Sequence, residues 1–419
     1  MFHDLPVALI PLLALAVLQT AAYPNTFHGP LTQRESLSPR LSLAPESLAG
    51  RRRQATNSTS PSNPTSSNGT GAGPGTGTSN ETDFLWIIQD TFDYTNFFNE
   101  FAFYNSGDPT HGTVTYVNQE TAFANNLSYI SSENTVIMKG DDTTWLQEGE
   151  FRQSVRVSSY AQYNTGLFIL DTNQAPWGCG VWPAFWTLGN GYWPTTGEID
   201  IIEGVHDNEH NQVTWHTSPG CTLTPTANFT GSIVLQNNQP NLDCTGSATQ
   251  PGCGITEWSR ASYGPTFDAQ GGGVFAMKWD QDGIAVWSFY RVAVPQDVKD
   301  GTPNPANWGV PVAVLEPGNC DPLTYFQNHS IIFDITFCGD WAGNSYATSG
   351  CPGTCADHLM DPTNFVNASW NINWLKVYRR QTVKGVVSGG ISVRENLRPW
   401  MLLSLLATLS LLCGWFADM

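Results

Sequence analysis

The amino-acid sequence predicts an all-β fold, a sandwich or jelly roll around one shared core. Short stretches of alternating apolar and polar residues recur between about residues 83 and 380, rich in β-branched and aromatic side chains and bounded by Gly, Pro, Asn or Asp. Long helical periodicity is nearly absent. Composition agrees: aromatics make up 12% of the 419 residues, charged residues only 13%, and 39 Gly and 27 Pro supply turns.

In chain order the strands fall at Thr113–Val117, Gly166–Leu170, Val274–Trp279, Ile284–Tyr290, Ile331–Phe337 and Trp370–Tyr378. Many strands with ample turn chemistry close over one core. No internal repeat divides the segment, and a sandwich of this length as a single domain is ordinary. Eight of the nine cysteines lie within it: Cys179, Cys221, Cys244, Cys253, Cys320, Cys338, Cys351 and Cys355. An even number suggests disulfides, with 105 pairings open; no Cys-x-x-Cys pair supports zinc.

The flanks read differently. Leu5 to Leu18 is a short apolar run followed by Gln-Thr-Ala-Ala, so residues 1–22 are expected to be a signal peptide cut near Ala22. The run is shorter than the roughly 20 residues a membrane-spanning helix needs. Its leading segment carries no Lys or Arg. Residues 23–82 are expected to be a propeptide and disordered linker. Arg51-Arg52-Arg53 is a processing site or an exposed basic patch, and beyond it Ser, Thr, Asn, Gly and Pro dominate. At the other end, small residues Ser388-Gly389-Gly390, a polar spacer and an apolar run from Trp400 to Phe416 make a glycosylphosphatidylinositol signal over residues 381–419, with Ser388 as the attachment site. Cys413 lies in the tail that anchoring removes. A plain transmembrane anchor would carry a basic flank, and only Ala417-Asp418-Met419 follows.

These flanks place the domain on the secretory route, at the outer face of the plasma membrane or in the wall. Sequons at Asn57, Asn68, Asn80, Asn126, Asn228, Asn328 and Asn367 are candidate N-glycosylation sites. A formal net charge of -18 argues against nucleic acid as a partner. A membrane contact through the lipid anchor and a monomeric state are the expectations.

The most informative segment is Thr196-Gly-Glu-Ile-Asp-Ile-Ile-Glu-Gly204, with three carboxylates in six residues among apolar neighbours. In a strand, Glu198 and Asp200 share one face and Ile199 and Ile201 the other. Strict alternation would send Glu203 into the core, where an unpaired carboxylate is too costly. One extra residue near Ile201-Ile202, a β-bulge, returns it to the face of the other two. Two carboxyls on one face, about two strand positions apart, suit the pair of a retaining glycosidase, nucleophile and acid/base. Asp200 between them could hydrogen-bond the nucleophile and separate the two pKa values. Calcium ligation is the competing use of such a cluster.

Glu198-Ile-Asp-Ile-Ile-Glu203 resembles the bulged active-site signature of glycoside hydrolase family 16, in its laminarinase-like branch. Gly178-Cys-Gly-Val-Trp-Pro-Ala-Phe-Trp-Thr-Leu188, Trp215-His-Thr-Ser218, Ser262-Tyr-Gly-Pro265, Gly271-Gly-Gly273 and Thr336-Phe-Cys-Gly-Asp-Trp-Ala-Gly343 extend the likeness to fungal secreted endo-β-1,3(4)-glucanases over about residues 83–380. The resemblance implies a catalytic domain with a concanavalin A-like jelly roll and a substrate groove on its concave face. It further implies Glu198 as nucleophile, Asp200 as assisting carboxylate and Glu203 as acid/base. Trp186, Trp193 and Trp341 match aromatics that line the sugar subsites, and His216 a polar residue near the centre. Trp182 and Phe185 are assigned to packing. Neither a cofactor nor a metal is implied.

His206-Asp-Asn-Glu-His210 fits the His-x-x-Glu-His metalloprotease pattern, but that chemistry needs a helix, and Asp-Asn soon after a strand reads as a loop. The leading expectation is an endo-acting retaining hydrolase of β-1,3 or β-1,4 linkages in β-glucans. The alternatives are a wall glucan transglycosylase, in which a second glucan takes the place of water, and a non-catalytic glucan-binding wall protein, for which a matched acid pair has no use.

Overall fold

The computed structural model describes residues 84–247 and 250–383. Residues 86–380 pack as one unit around a single core. The proposed leader, linker, anchor signal and first three sequons lie outside the described residues, apart from the first residues of the C-terminal segment. Among the described residues no helix is long and apolar enough to cross a membrane.

Two eight-stranded sheets carry the fold. One runs Ala313–Leu315, Gly283–Tyr290, Gly273–Asp280, Gly166–Gln174, Ser369–Thr382, Val136–Lys139 and Ser128–Ile130, with Phe84–Asp93 also pairing to Ser369–Thr382. The other, which bears the acids, runs Ser232–Ile233, Cys253–Thr256, Gln212–His216, Glu198–Glu203, Val181–Gly189, His329–Phe337, Arg156–Tyr163 and Phe101–Phe103. The jelly roll is thus observed, and all six expected strands are present, most of them longer than expected. The strands without a clear period-2 signal, such as Arg156–Tyr163 and Gln212–His216, belong to the acid-bearing sheet, whose open side tolerates polar residues.

The core lies between the sheets because alternation turns one side chain in two inward. Phe185, Ile199, Ile202, Trp215, Phe333 and Ile335 point in from the acid-bearing sheet, and Phe168, Phe275, Met277, Trp370 and Leu375 meet them from the other. Phe333 stacks on Phe185 at 4.7 Å within its own sheet and meets Trp370 of the facing sheet edge-on at 5.4 Å. Removing such a ring costs about 3–5 kcal/mol. Helices are confined to connections of at most six residues among the described residues.

All eight domain cysteines pair: Cys179–Cys351, Cys221–Cys320, Cys244–Cys253 and Cys338–Cys355. None is left as a zinc ligand. Two of the four bonds tie the segments flanking Val181–Gly189 and His329–Phe337 to the connection after the helix Asn344–Ser349 and to the first residue of the helix Cys355–Met360.

Candidate active site

The strand Glu198–Glu203 sits mid-sheet between Val181–Gly189 and Gln212–His216. It is entered at Gly197, where φ is +80° and an added Cβ would stand 2.4 Å from the Phe326 ring, so only glycine fits. Glu198 lies opposite Leu188 and Asp200 opposite Trp186; then the register slips between Asp200 and Ile202, and Glu203 lies opposite Ala184. Leu188, Trp186 and Ala184 are spaced by two and share a face. The bulge expected near Ile201-Ile202 is therefore present, and all three acids point away from the core while Ile199, Ile201 and Ile202 are buried in it.

The three carboxyls differ in surroundings. Glu198 accepts from Trp193 Nε1 at 2.6 Å, and its side chain is 17% exposed. Asp200 is 4% exposed. Burial pushes its carboxyl well above the ordinary value, helped by the Glu198 charge and a hydrogen bond to Glu198, so Asp200 holds a proton it can share with its neighbour. His216 Nε2 stands 3.2 Å from Asp200 Oδ2, a close approach whose angle falls short of a hydrogen bond. Glu203 accepts from Trp182 Nε1 at 2.9 Å. Burial first, then the Asp200 charge, push its pKa up to about 8, against the Trp182 hydrogen bond that lowers it. At neutral pH Glu203 thus keeps its proton, on the same face as Glu198, which accepts the Trp193 N–H. Ligand atoms of Glu198, Asp200 and His216 also lie within 4.8 Å of one another, close enough to share a cation.

The aromatic residues frame this face. Trp193 is half-buried and lies 5.9 Å from the His216 ring. Trp186 is 8% exposed: its Nε1 donates to Asp334 Oδ1 at 3.0 Å and the Arg156 guanidinium covers its ring at 4.9 Å. It forms floor rather than an open platform. Asp334 also accepts from Tyr116 Oη at 2.9 Å, and burial pushes its pKa up to about 6 against the nearby Arg156 charge. Trp341 stands edge-on to Trp182 at 5.8 Å. Trp182 thus differs from its expected packing role: it shares the face of Ala184 and Trp186 and bonds Glu203 directly. Phe185, 1% exposed, is core as expected. A cleft of about 540 Å³ adjoins the face through Asp108 and Tyr116, which bond Thr336 and Asp334.

Three supporting residues carry no signal in the local sequence. Asn211 bonds both Ile201 and Glu203. His329, fully buried, bonds the Thr196 carbonyl with Nε2 at 2.8 Å and Thr187 Oγ1 with Nδ1, holding the entry to the acid strand. His206 accepts from Gly180 N–H at Nδ1 and donates from Nε2 to Ser345 Oγ, which donates to the Trp341 carbonyl. The His-x-x-Glu-His residues diverge: His210 donates to the Glu257 carbonyl and Glu209 pairs with Arg260. Their segment is a loop, and no metalloprotease geometry forms.

Comparison with known proteins identifies the family. A family described as XgeA-like, catalytic GH16 domain matches residues 101–378. The chain is 44% identical over 291 residues to a probable glycosidase of Schizosaccharomyces pombe, covering 68% of this chain and 67% of that protein. It is 40% identical over 295 residues to a probable endo-1,3(4)-β-glucanase of Aspergillus niger, spanning 68% of this chain but only 39% of that relative's length. Among solved structures, the GH16 laminarinase 16A of Phanerochaete chrysosporium, bound to two β-glucans in donor and acceptor sites, is 40% identical, with a TM-score of 0.66 over 70% of this chain and all of that one. An elongating GH family 16 β-1,3-glucosyltransferase is 36% identical, with a TM-score of 0.65 over the same shares. With the fold, the bulged acid strand and the family match all in agreement, the chain belongs to glycoside hydrolase family 16, as an XgeA-like catalytic domain.

Proposed function

We propose that this protein is an endo-acting, retaining hydrolase of β-1,3 and β-1,4 linkages in β-glucans. The observation that carries it is the bulge that brings Glu198 and Glu203 to one face in different surroundings: Glu203 protonated at neutral pH, Glu198 accepting the Trp193 N–H. Glu203 gives its proton to the leaving glycosidic oxygen while Glu198 attacks the anomeric carbon, forming a glycosyl ester. Glu203, now a carboxylate, takes a proton from water, which displaces the ester and restores both acids. Asp200 shares its proton with Glu198 and steadies the carboxylate as leaving group. Trp182, Trp193, Trp341 and His216 line the sugar sites on this reading, and Trp186 supports them from below.

Product analysis of the full chain on laminarin and mixed-linkage glucan, with Glu198→Gln and Glu203→Gln beside it, tests the reading. Reducing-end release by wild type, lost in both variants, is the expected result. Turnover unaffected by either substitution would sink it. A second reading, transglycosylation, has a specific support in the likeness to the elongating glucosyltransferase; products longer than the substrate would identify it. Binding without turnover by folded protein would leave the non-catalytic role.

The location belongs to the same proposal. Residues 1–22 act as a leader, 23–82 as a spacer, and Ser388 as the attachment point of a lipid anchor that keeps a monomeric enzyme at the cell surface. Asn126, Asn228 and Asn328 are exposed and Asn367 half-buried, so the first three suit glycans best.

A further inference from the structure

The geometry points to Asn211 as the residue that positions Glu203, a role that rests on the acid/base reading above. The antiparallel ladder between the acid strand and Gln212–His216 runs Glu198 to His216, Ile199 to Trp215 and Asp200 to Thr214, and stops there. On the opposite side the register slips between Asp200 and Ile202. The strand thus loses its backbone neighbour on one side where it must turn Glu203 toward the open face. Asn211, immediately before the strand Gln212–His216 and 0% exposed, fills that gap with its side chain.

Its Nδ2 donates to the Ile201 carbonyl at 2.8 Å, and its Oδ1 accepts the Glu203 N–H at 2.8 Å. One amide supplies both the donor and the acceptor that a continued ladder would have given. The amide is itself fixed. Its second Nδ2 proton goes to Glu257 Oε1 at 2.9 Å, its backbone N–H donates to Ser262 Oγ at 2.9 Å, and its carbonyl accepts the Glu257 N–H at 2.8 Å. Asp could not donate to Ile201, and Leu could do neither, so the residue type follows from the two bonds. Asn211 touches no reacting atom; it sets where the Glu203 carboxyl stands.

Asn211→Leu and Asn211→Ala in the full chain, assayed on laminarin and on a dinitrophenyl β-laminaribioside, test this. The natural linkage needs its leaving oxygen protonated; dinitrophenolate leaves without help. Misplacing the acid is expected to lower kcat on laminarin about 10- to 100-fold with KM within about twofold. The burst of dinitrophenolate per folded molecule should stay within about threefold of wild type, since Glu198 is untouched. A purely structural role would lower both substrates by one factor in step with the folded fraction, and would overturn the assignment. So would laminarin turnover within about twofold of wild type in the variant that folds, given the size of an acid's contribution. Glu203→Gln run in parallel separates the failures: if it keeps laminarin turnover the acid/base reading falls, whereas its loss with active Asn211 variants overturns positioning alone.

Discussion

Trp182→Phe isolates the contact that most directly tunes the acid. Glu203 must carry its proton to act, so kcat/KM on laminarin is expected to fall as pH rises through about 8. The Trp182 N–H, 2.9 Å from Glu203 Oε1, favours the ionised form and so holds that pKa below where burial and Asp200 alone would put it. A hydrogen bond to a charged group contributes about 1.5–3 kcal/mol. At about 1.4 kcal/mol per pKa unit its loss raises the pKa by about 1–2 units. The face is open to water, which replaces part of the bond, so a rise of about one unit is expected. The alkaline limb should therefore move to about pH 9 while the phenyl ring keeps much of the contact with Trp341. The assay is a pH series of initial rates at low substrate concentration. A limb that stays near its wild-type position, or moves to lower pH, would refute the assignment of the acid to Glu203 and of the tuning to Trp182.

Glu257→Gln is expected to stabilise the protein at alkaline pH. Burial pushes the Glu257 carboxyl up to about 7, so its contribution to stability is present below the unfolded value and lost as pH rises through 7. Gln keeps partners in Asn211 and Ser288 without a charge to bury, and chemical denaturation at pH 8 against pH 4.5 should show a shallower fall in the variant, by up to about 3 kcal/mol. Trp341→Ala should lower kcat/KM on laminarin about 3- to 10-fold through KM, with kcat kept, the loss of one aromatic contact; an unchanged KM removes Trp341 from the groove wall. A phosphatidylinositol-specific phospholipase should release the activity from membranes if the lipid anchor at Ser388 is real, and activity that stays bound after treatment speaks for a spanning tail.

Much of the fold was legible because burial imposes a pattern. Strands such as Val274–Trp279 and Ile331–Phe337 sit mid-sheet with a face on the core, and their apolar residues follow from that. Arg156–Tyr163 escaped because the side chains on its open face are Arg156, Ser158 and Tyr160, which answer to the groove and to water rather than to the core. The disulfides escaped for another reason. Cys179 and Cys351 lie 172 residues apart in sequence, and only the pairing of Val181–Gly189 with His329–Phe337 brings the segments that carry them together.

The same distinction explains what could be read of the site. Three acids within six residues conflict with strict alternation, and a bulge was the cheapest way out, so the placement of Glu198, Asp200 and Glu203 on one face followed from neighbours in sequence. The bulge, however, creates a second problem that no local pattern records. It leaves the Ile201 carbonyl and the Glu203 N–H without ladder partners inside a buried sheet, where each orphaned group costs about 1–3 kcal/mol. The partner had to come from elsewhere, and Asn211 meets both demands from a different strand. Trp182 was misplaced against its own period: in the Trp-Pro-Ala-Phe-Trp run it shares a face with Trp186, already matched to the sugar subsites, and the bond to Glu203 shows that this face is the open one. Local pattern thus locates the acids, while the groups that set their position and proton affinity are supplied by the tertiary neighbours the bulge requires.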